Sequence, residues 1–202
     1  MTKKGKVTRE FIVERAAGLF NSLGYYRASM SDLMQATGLE KGGIYNHFQS
    51  KDELAVAAFE YAVRLGGSRL MERVLAVEEP MDKLIAFIDA FNSLVVDPPI
   101  PGGCPLLNCA IENDDGNPLL AEKVRQAMEK LYSFVDSLIK NAQAAGQLSK
   151  DLNPQQLSTF LISSLEGGIM LSKLYDDKHR MELVVLSLKD YLQACATRNR
   201  QN

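Results

Sequence analysis

The sequence predicts an all-α protein of about nine helices. Three observations carry that expectation. Apolar residues recur at three- and four-residue spacing along most of the chain, which is the period of an α-helix with one buried face. Gly24, Gly38, Gly146, Pro80, Pro118 and Pro154 stand where those patterns begin or end, as helix stops and starts should. No segment alternates apolar and polar residues with the period of two that a half-buried strand needs.

The elements follow in order. Residues 1–8 read as a basic tail, with Thr8 as the N-cap of a first helix and Glu10 in its first turn, both favourable at a helix start. Ile12, Ala16, Leu19, Phe20 and Leu23 form its apolar stripe, and Gly24 stops it. Ser29 is placed to cap a second helix over Met30 to Thr37, with Asp32 three residues on and Leu33, Met34 and Thr37 on one side. Gly38 supplies a sharp turn, since glycine tolerates left-handed backbone angles, and Leu39 pins that turn to the core. A third helix over Lys41 to Phe48 turns Ile44 and Phe48 inward and Lys41, Tyr45, Asn46 and His47 outward. Two short helices joined by a glycine turn form a helix-turn-helix, whose second helix enters a DNA major groove.

Ser50 and Glu53 are spaced as a capping box for a long fourth helix to Ala76, lined by Leu54, Ala58, Tyr61, Ala62 and Leu65 and interrupted by Gly66-Gly67. Pro80 opens a fifth helix carrying Met81, Leu84, Ile85, Phe87, Ile88, Phe91, Asn92 and Val95. The run Asp97 to Gly103 breaks it, a short helix follows over Pro105 to Asn113, and Asp114 to Asn117 is a turn. Asn117-Pro118 opens a long helix to Ala145, with Leu120, Val124, Ala127, Met128, Leu131, Val135, Leu138 and Ala142 inward. Asn153-Pro154 opens another to Tyr175, and the last runs from Lys178 to Thr197 before a polar tail.

The last two helices are apolar on more than one face. Leu157, Phe160, Leu161, Leu165, Ile169, Leu171 and Leu174 are spread around one, and Leu183, Val184, Leu186, Leu188, Tyr191 and Leu192 around the other. Ser163, Ser164, Gly167 and Gly168 permit close helix approach. Such a pair needs a second partner: either it is enclosed within one chain, or two copies join in a four-helix bundle. The latter predicts a homodimer.

Charge is distributed unevenly. Net charge is −2, but residues 1–51 carry eight Lys/Arg against four Asp/Glu, a net +4, and the remainder −6. A basic head on an acidic body suits a nucleic-acid reader with a separate second domain. The 46% hydrophobic content supplies a core, no apolar run approaches the roughly 20 residues needed to span a bilayer, and the basic N-terminus is not followed by a signal-peptide core. A cytoplasmic protein without a membrane partner is expected. Cys104, Cys109 and Cys195, an odd count without a CxxC spacing, argue against a disulfide scaffold or a metal site and for a reducing compartment. With only His47 and His179 there is little material for a Ser/His/Asp triad, and neither HExxH nor a phosphate-binding GxxxxGK[ST] occurs. A hydrolase-like enzyme and a helical adaptor with a vestigial helix-turn-helix are the readings set aside. No cofactor is expected.

The stretch SMSDLMQATGLEKGGIYNHFQSKDEL, Ser29 to Leu54, closely resembles the DNA-binding signature of the TetR family of bacterial transcriptional regulators. Tyr45-Asn-His-Phe48 followed by Ser50-Lys51 is its most specific part. Beyond residue 60 the resemblance lies in helix count and the apolar terminal pair. The family usually places alanine where Met34 stands. The resemblance implies a DNA-binding domain over residues 1–52, an effector-binding and dimerisation domain over 53–202, and a homodimer that presents two recognition helices to a near-palindromic operator. Two half-sites one helical turn apart are about 34 Å between centres. Ser29, Ser31, Lys41, Gly42, Gly43, Tyr45, Asn46, His47 and Lys51 are the candidate DNA-contacting residues. An apolar or amphipathic small-molecule effector would enter a pocket lined by Phe59, Phe87, Phe91, Leu107, Met128, Tyr132 and Met170, with Asn108, Glu112 and Glu166 as polar anchors. Its binding would release the protein from DNA, with Gly66-Gly67 as a hinge or, on the alternative, a close packing contact. Cys104 or Cys109 near a loop and helix start offers a second route, sensing of electrophiles or oxidants.

Overall fold

The computed structural model describes residues 3–112 and 117–196, with side chains from Thr8 onward. The described residues form nine α-helices: α1 (Lys3–Leu23), α2 (Met30–Thr37), α3 (Lys41–Tyr45), α4 (Lys51–Leu75), α5 (Pro80–Val96), α6 (Pro105–Glu112), α7 (Pro118–Ala144), α8 (Pro154–Tyr175) and α9 (His179–Ala194). Among them there is no strand, only an isolated antiparallel bridge between Leu148 and Ala196. Most boundaries agree with the expected ones to within a residue or two. Three differ further. The helix α1 begins at Lys3, so much of the expected tail is helical, α3 ends at Tyr45, and α9 ends at Ala194 rather than Thr197. The rest of the expected turn over Asp114 to Asn117 and the polar tail lie largely outside the described residues.

The chain divides into two compact units. One holds Met1–Gly66 and Pro98–Ala127, the other Gly67–Asp97 and Met128–Asn202. The divisions fall inside α4, between the paired glycines, and inside α7. In the first unit the core is built by Ile12, Val13, Ala16, Ala17 and Phe20 of α1, Leu33 of α2, Ile44 and Phe48, and Leu54, Ala58 and Phe59 of α4, all buried. Leu23, expected on the α1 stripe, is 45% exposed. It is the final residue of the helix, and Val13 and Ala17 widen the buried face in its place. Phe20 stacks on Tyr25 and Tyr25 meets Phe59 edge-on, with centroids 5.3 and 6.2 Å apart, arrangements that add to plain apolar burial.

In the second unit α5, α8 and α9 pack against one another. Leu84, Phe87, Ile88 and Phe91 of α5, Leu157, Leu161, Leu165 and Ile169 of α8, and Met181, Val185, Leu188 and Leu192 of α9 are buried. Gly168 permits the close approach of α8 to α9, because a Cβ there would lie 2.6 Å from Met181 Sδ. Lys189 Nζ reaches Asp89 Oδ1 at 2.6 Å, joining α9 to α5. On the opposite side α8 and α9 leave Phe160, Met170, Leu174, Leu183, Leu186 and Tyr191 exposed.

Candidate nucleic-acid interface

Local chemistry dictates the form of α2. Ser29 accepts the Asp32 N–H at 3.2 Å, and Asp32 Oδ2 accepts the Ser29 N–H at 2.7 Å, completing a capping box. The two hydrogen bonds from Ser29, side chain before backbone, hold the Asp32 carboxyl below its ordinary value. At the other end Gly38 adopts φ +67 and its N–H donates to Met34 O at 2.8 Å, the left-handed stop that a Cβ would penalise. Thr37 adds a device that apolar spacing could not reveal. Its hydroxyl donates to Leu33 O at 2.7 Å and accepts the Leu39 N–H at 3.3 Å, so the turn is fastened from inside.

The helix α3 is a single short turn. Its N-cap, Glu40, makes no side-chain cap bond, and its first turn contains Gly42 and Gly43, which favour a helix less than alanine by roughly 1 kcal/mol each. Beyond Tyr45 the chain tightens into a turn, with the His47 N–H on Ile44 O at 2.9 Å, because the next helix claims the following residues. Glu53 Oε2 takes the Gln49 N–H at 2.6 Å and Ser50 Oγ takes the Glu53 N–H at 3.1 Å. The expected capping box thus reaches back one residue further than Ser50. Ile44 and Phe48 are buried, as the spacing requires, and Arg9 of α1 lies over the Phe48 ring at 4.6 Å.

The outward face holds the expected polar set. Lys41, Gly42, Tyr45 and Asn46 are exposed, Gly43 and His47 are half-buried, and the Lys41 ammonium sits 5.7 Å from the Tyr45 ring centre. Ser31 is exposed beside them, while Ser29 is engaged in its cap. Lys51 Nζ donates to Tyr26 O at 3.2 Å, so one of its three hydrogens is committed to the corner between α1 and α2. A short exposed helix that turns a cation, a phenol, an amide and bare backbone outward can meet phosphates and base edges. Met34 is half-buried against this arrangement.

Comparison with known proteins gives the arrangement its context. The family model described as bacterial regulatory proteins, tetR family, matches residues 12–58, and the one described as tetracyclin repressor-like, C-terminal domain, matches residues 80–188. A TetR transcriptional regulator from Chloroflexus aurantiacus is 39% identical with a TM-score of 0.92, over 96% of this chain and 98% of that one. The chain belongs to the TetR family. It is a transcriptional regulator that binds DNA through its helix-turn-helix. YxaF of Bacillus subtilis, an uncharacterised HTH-type regulator, is 27% identical over 91% of this chain and 94% of its own length. AibR, solved with isovaleryl coenzyme A and operator DNA, shares the fold at 19% identity and a TM-score of 0.70, over 92% of this chain and 97% of that one.

The residues expected to serve an effector are divided between the regulator's two units. In the first, Phe59 is buried against Tyr25 and Leu107 is half-buried. Asn108 donates to Asn21 O, Asn21 Oδ1 and Gly102 O at 2.8–3.1 Å, and Glu112 accepts the Tyr25 N–H at 2.7 Å. Two of the three expected polar anchors are therefore engaged in internal contacts, which sequence spacing alone does not reveal. In the second unit Phe87 and Phe91 meet at 5.2 Å and Phe134, not singled out from the sequence, joins Phe87 at 6.3 Å. Met128 and Tyr132 are half-buried, Glu166 is buried on α8, and Met170 is exposed.

The cysteines are poorly placed for sensing. Cys104 and Cys109 are buried. Burial first, and then the charge of Glu112, pushes the Cys109 thiol up to about 12, and a thiol that stays protonated is a poor nucleophile. Among the described residues no group of three His, Cys, Asp or Glu could hold a metal ion, and no helix is long and apolar enough to cross a membrane.

Proposed function

We propose that the protein is a ligand-responsive repressor that binds a near-palindromic operator as a homodimer and leaves it when a small molecule binds. Residues 1–52 would be the DNA-binding domain and 53–202 the effector-binding and dimerisation domain. The observation that carries this reading is the capped helix-turn-helix with Lys41, Tyr45 and Asn46 turned outward in a chain of this regulatory family. The exposed apolar face of α8 and α9 supports self-association, and two such faces joined across a two-fold axis would present two recognition helices to a palindrome.

An effector would act by favouring a state in which the heads no longer match the operator. AibR, with its acyl coenzyme A and operator DNA, supports a fold that takes both classes of partner. Phe87 and Phe91 are buried and Phe134 beside them is half-buried, so an effector in this unit would have to open the core at Phe134. A hinge at Gly66-Gly67 is favoured over a packing role, since a Cβ at either position meets no atom within 4 Å among the described residues.

Enrichment of duplexes from a random pool tests the reading. A near-palindromic sequence should emerge, and the complex should contain two chains by light scattering. Titration of the complex with candidate apolar and amphipathic molecules should then find one that releases the duplex. Failure to enrich any duplex at low salt removes the proposal.

A further inference from the structure

Glu112 stands outside the helix-turn-helix, at the end of α6, yet its carboxylate is built into the corner through which α1 feeds α2. Oε2 accepts the Tyr25 N–H at 2.7 Å and faces the Tyr26 N–H at 3.4 Å. Gly24 makes the space: it adopts φ +103, and a Cβ there would lie 2.6 Å from Glu112 Oε1. The corner is thus shaped to this carboxylate in both conformation and volume. The same stretch is held from its other side. Tyr26 O accepts from Lys51 Nζ at the first residue of α4, and the Tyr26 hydroxyl accepts the Asn117 N–H. Asn108, one turn earlier on α6, fastens that helix to the last turn of α1 through Asn21. Three residues beyond Tyr26 the Ser29 cap begins α2.

Hydrogen bonds from backbone N–H groups to a carboxylate are roughly twice as strong as neutral ones. The surroundings favour this one, since Tyr25 and Cys109 are both buried beside it. A recognition helix reads base edges only when held within about 0.5 Å of its productive position. A strong bond at the corner that orients α2 and α3 is therefore placed to govern readout without touching DNA. We infer that Glu112 is a positioning residue for DNA recognition, holding the α1–α2 corner from α6 and so setting how α3 meets the major groove. The inference rests on the DNA-binding reading of α2 and α3.

The test uses the full chain and a duplex enriched by the wild type. Affinity is measured for that duplex and for a scrambled one at the same salt, beside thermal unfolding, for Glu112→Ala, Glu112→Gln and Glu112→Asp. The ratio of specific to scrambled affinity should fall roughly tenfold in Glu112→Ala, as the loss of a charge-assisted bond allows. It should be partly restored in Glu112→Gln, whose neutral amide oxygen still accepts the same N–H, and remain low in Glu112→Asp, which is a methylene too short. A merely structural role lowers the melting temperature and both affinities together, leaving the ratio unchanged, and that result overturns the inference. If Glu112→Ala does not fold, equal ratios in the Gln and Asp variants overturn it as well. A wild type that enriches no duplex removes the regulatory reading itself and this inference with it, whereas a wild type that binds selectively beside equally selective variants removes the inference alone.

Discussion

Tyr45 is 40% exposed on a helix of five residues, with Ile44 beside it taking the buried position. Its ring contributes little to the core, so removing it should separate binding from folding. Tyr45→Ala is expected to weaken binding to an enriched duplex roughly tenfold, the value of one good hydrogen bond to a charged group, while stability stays within about 0.5 kcal/mol, as for other exposed substitutions. Fluorescence anisotropy and thermal unfolding read the two effects. Cys109 presents the opposite case, a reactive side chain disarmed by its surroundings. Its folded pKa, about 12, stands above the ordinary 9.0, so the folded state holds this proton more tightly than the unfolded chain. The resulting stability is fully present below about 9 and is lost as pH rises towards 12. At pH 8 iodoacetamide should therefore label the half-buried Cys195 and spare Cys109 in the native protein, with all three cysteines labelled in denaturant. Native labelling of Cys109 by intact mass would revive the electrophile-sensing reading.

At the scale of the element, α2 and α3 are specified by different means. The helix α2 carries its own start and stop in Ser29, Asp32 and Gly38, and its limits were readable because capping chemistry is local. The helix α3 has no side-chain cap and two glycines, and its end is set by the Ser50 and Glu53 box of the next helix. An extension to Phe48 was expected because Phe48 keeps helical spacing from Ile44, but periodicity reports burial and not hydrogen bonding. Gly42 is exposed with nothing within 4 Å of a built Cβ, whereas a Cβ at Gly43 faces Leu39 at 3.5 Å. Alanine at either position should stabilise the protein by about 0.5–1 kcal/mol through helix propensity. If α3 meets DNA through its proposed outward face, Gly42→Ala should also weaken DNA binding, because its methyl would hold the backbone away from phosphate, and Gly43→Ala should weaken it less. Equal affinities in the two variants would argue that α3 meets DNA along another face.

The scale of the whole molecule is where self-association belongs. Leu186 is 57% exposed on α9, and Phe160 meets Tyr191 edge-on at 5.1 Å across the α8–α9 pair. Apolar side chains gathered on one face of a helix pair, together with Gly167, whose built Cβ meets nothing within this chain's described residues, fit a second copy with the same face. On the proposed dimer through this face, Leu186→Lys should give a monomer by light scattering and reduce duplex affinity by more than any single substitution in the head, because half of that dimer's DNA contacts would leave together. Retention of the dimer would place the interface elsewhere.

The sequence by itself determined the helical class, the limits of most helices and the face each one buries, because period, caps and breakers act over a few residues. It also determined the helix-turn-helix, whose turn glycine, cap and inward residues lie within one stretch, and with it the family. Tertiary structure decided what joins residues far apart in the chain. Asn108 and Glu112 had the chemistry of ligand anchors in the sequence, yet they fasten α6 to the end of α1 and to the Tyr25–Tyr26 backbone. No spacing rule could have revealed this, since the partners are 87 residues away and a hydrogen bond depends on position in space. Burial decided the fate of Cys109 in the same way: acidity follows from the dielectric and the charges nearby, which the fold alone assembles.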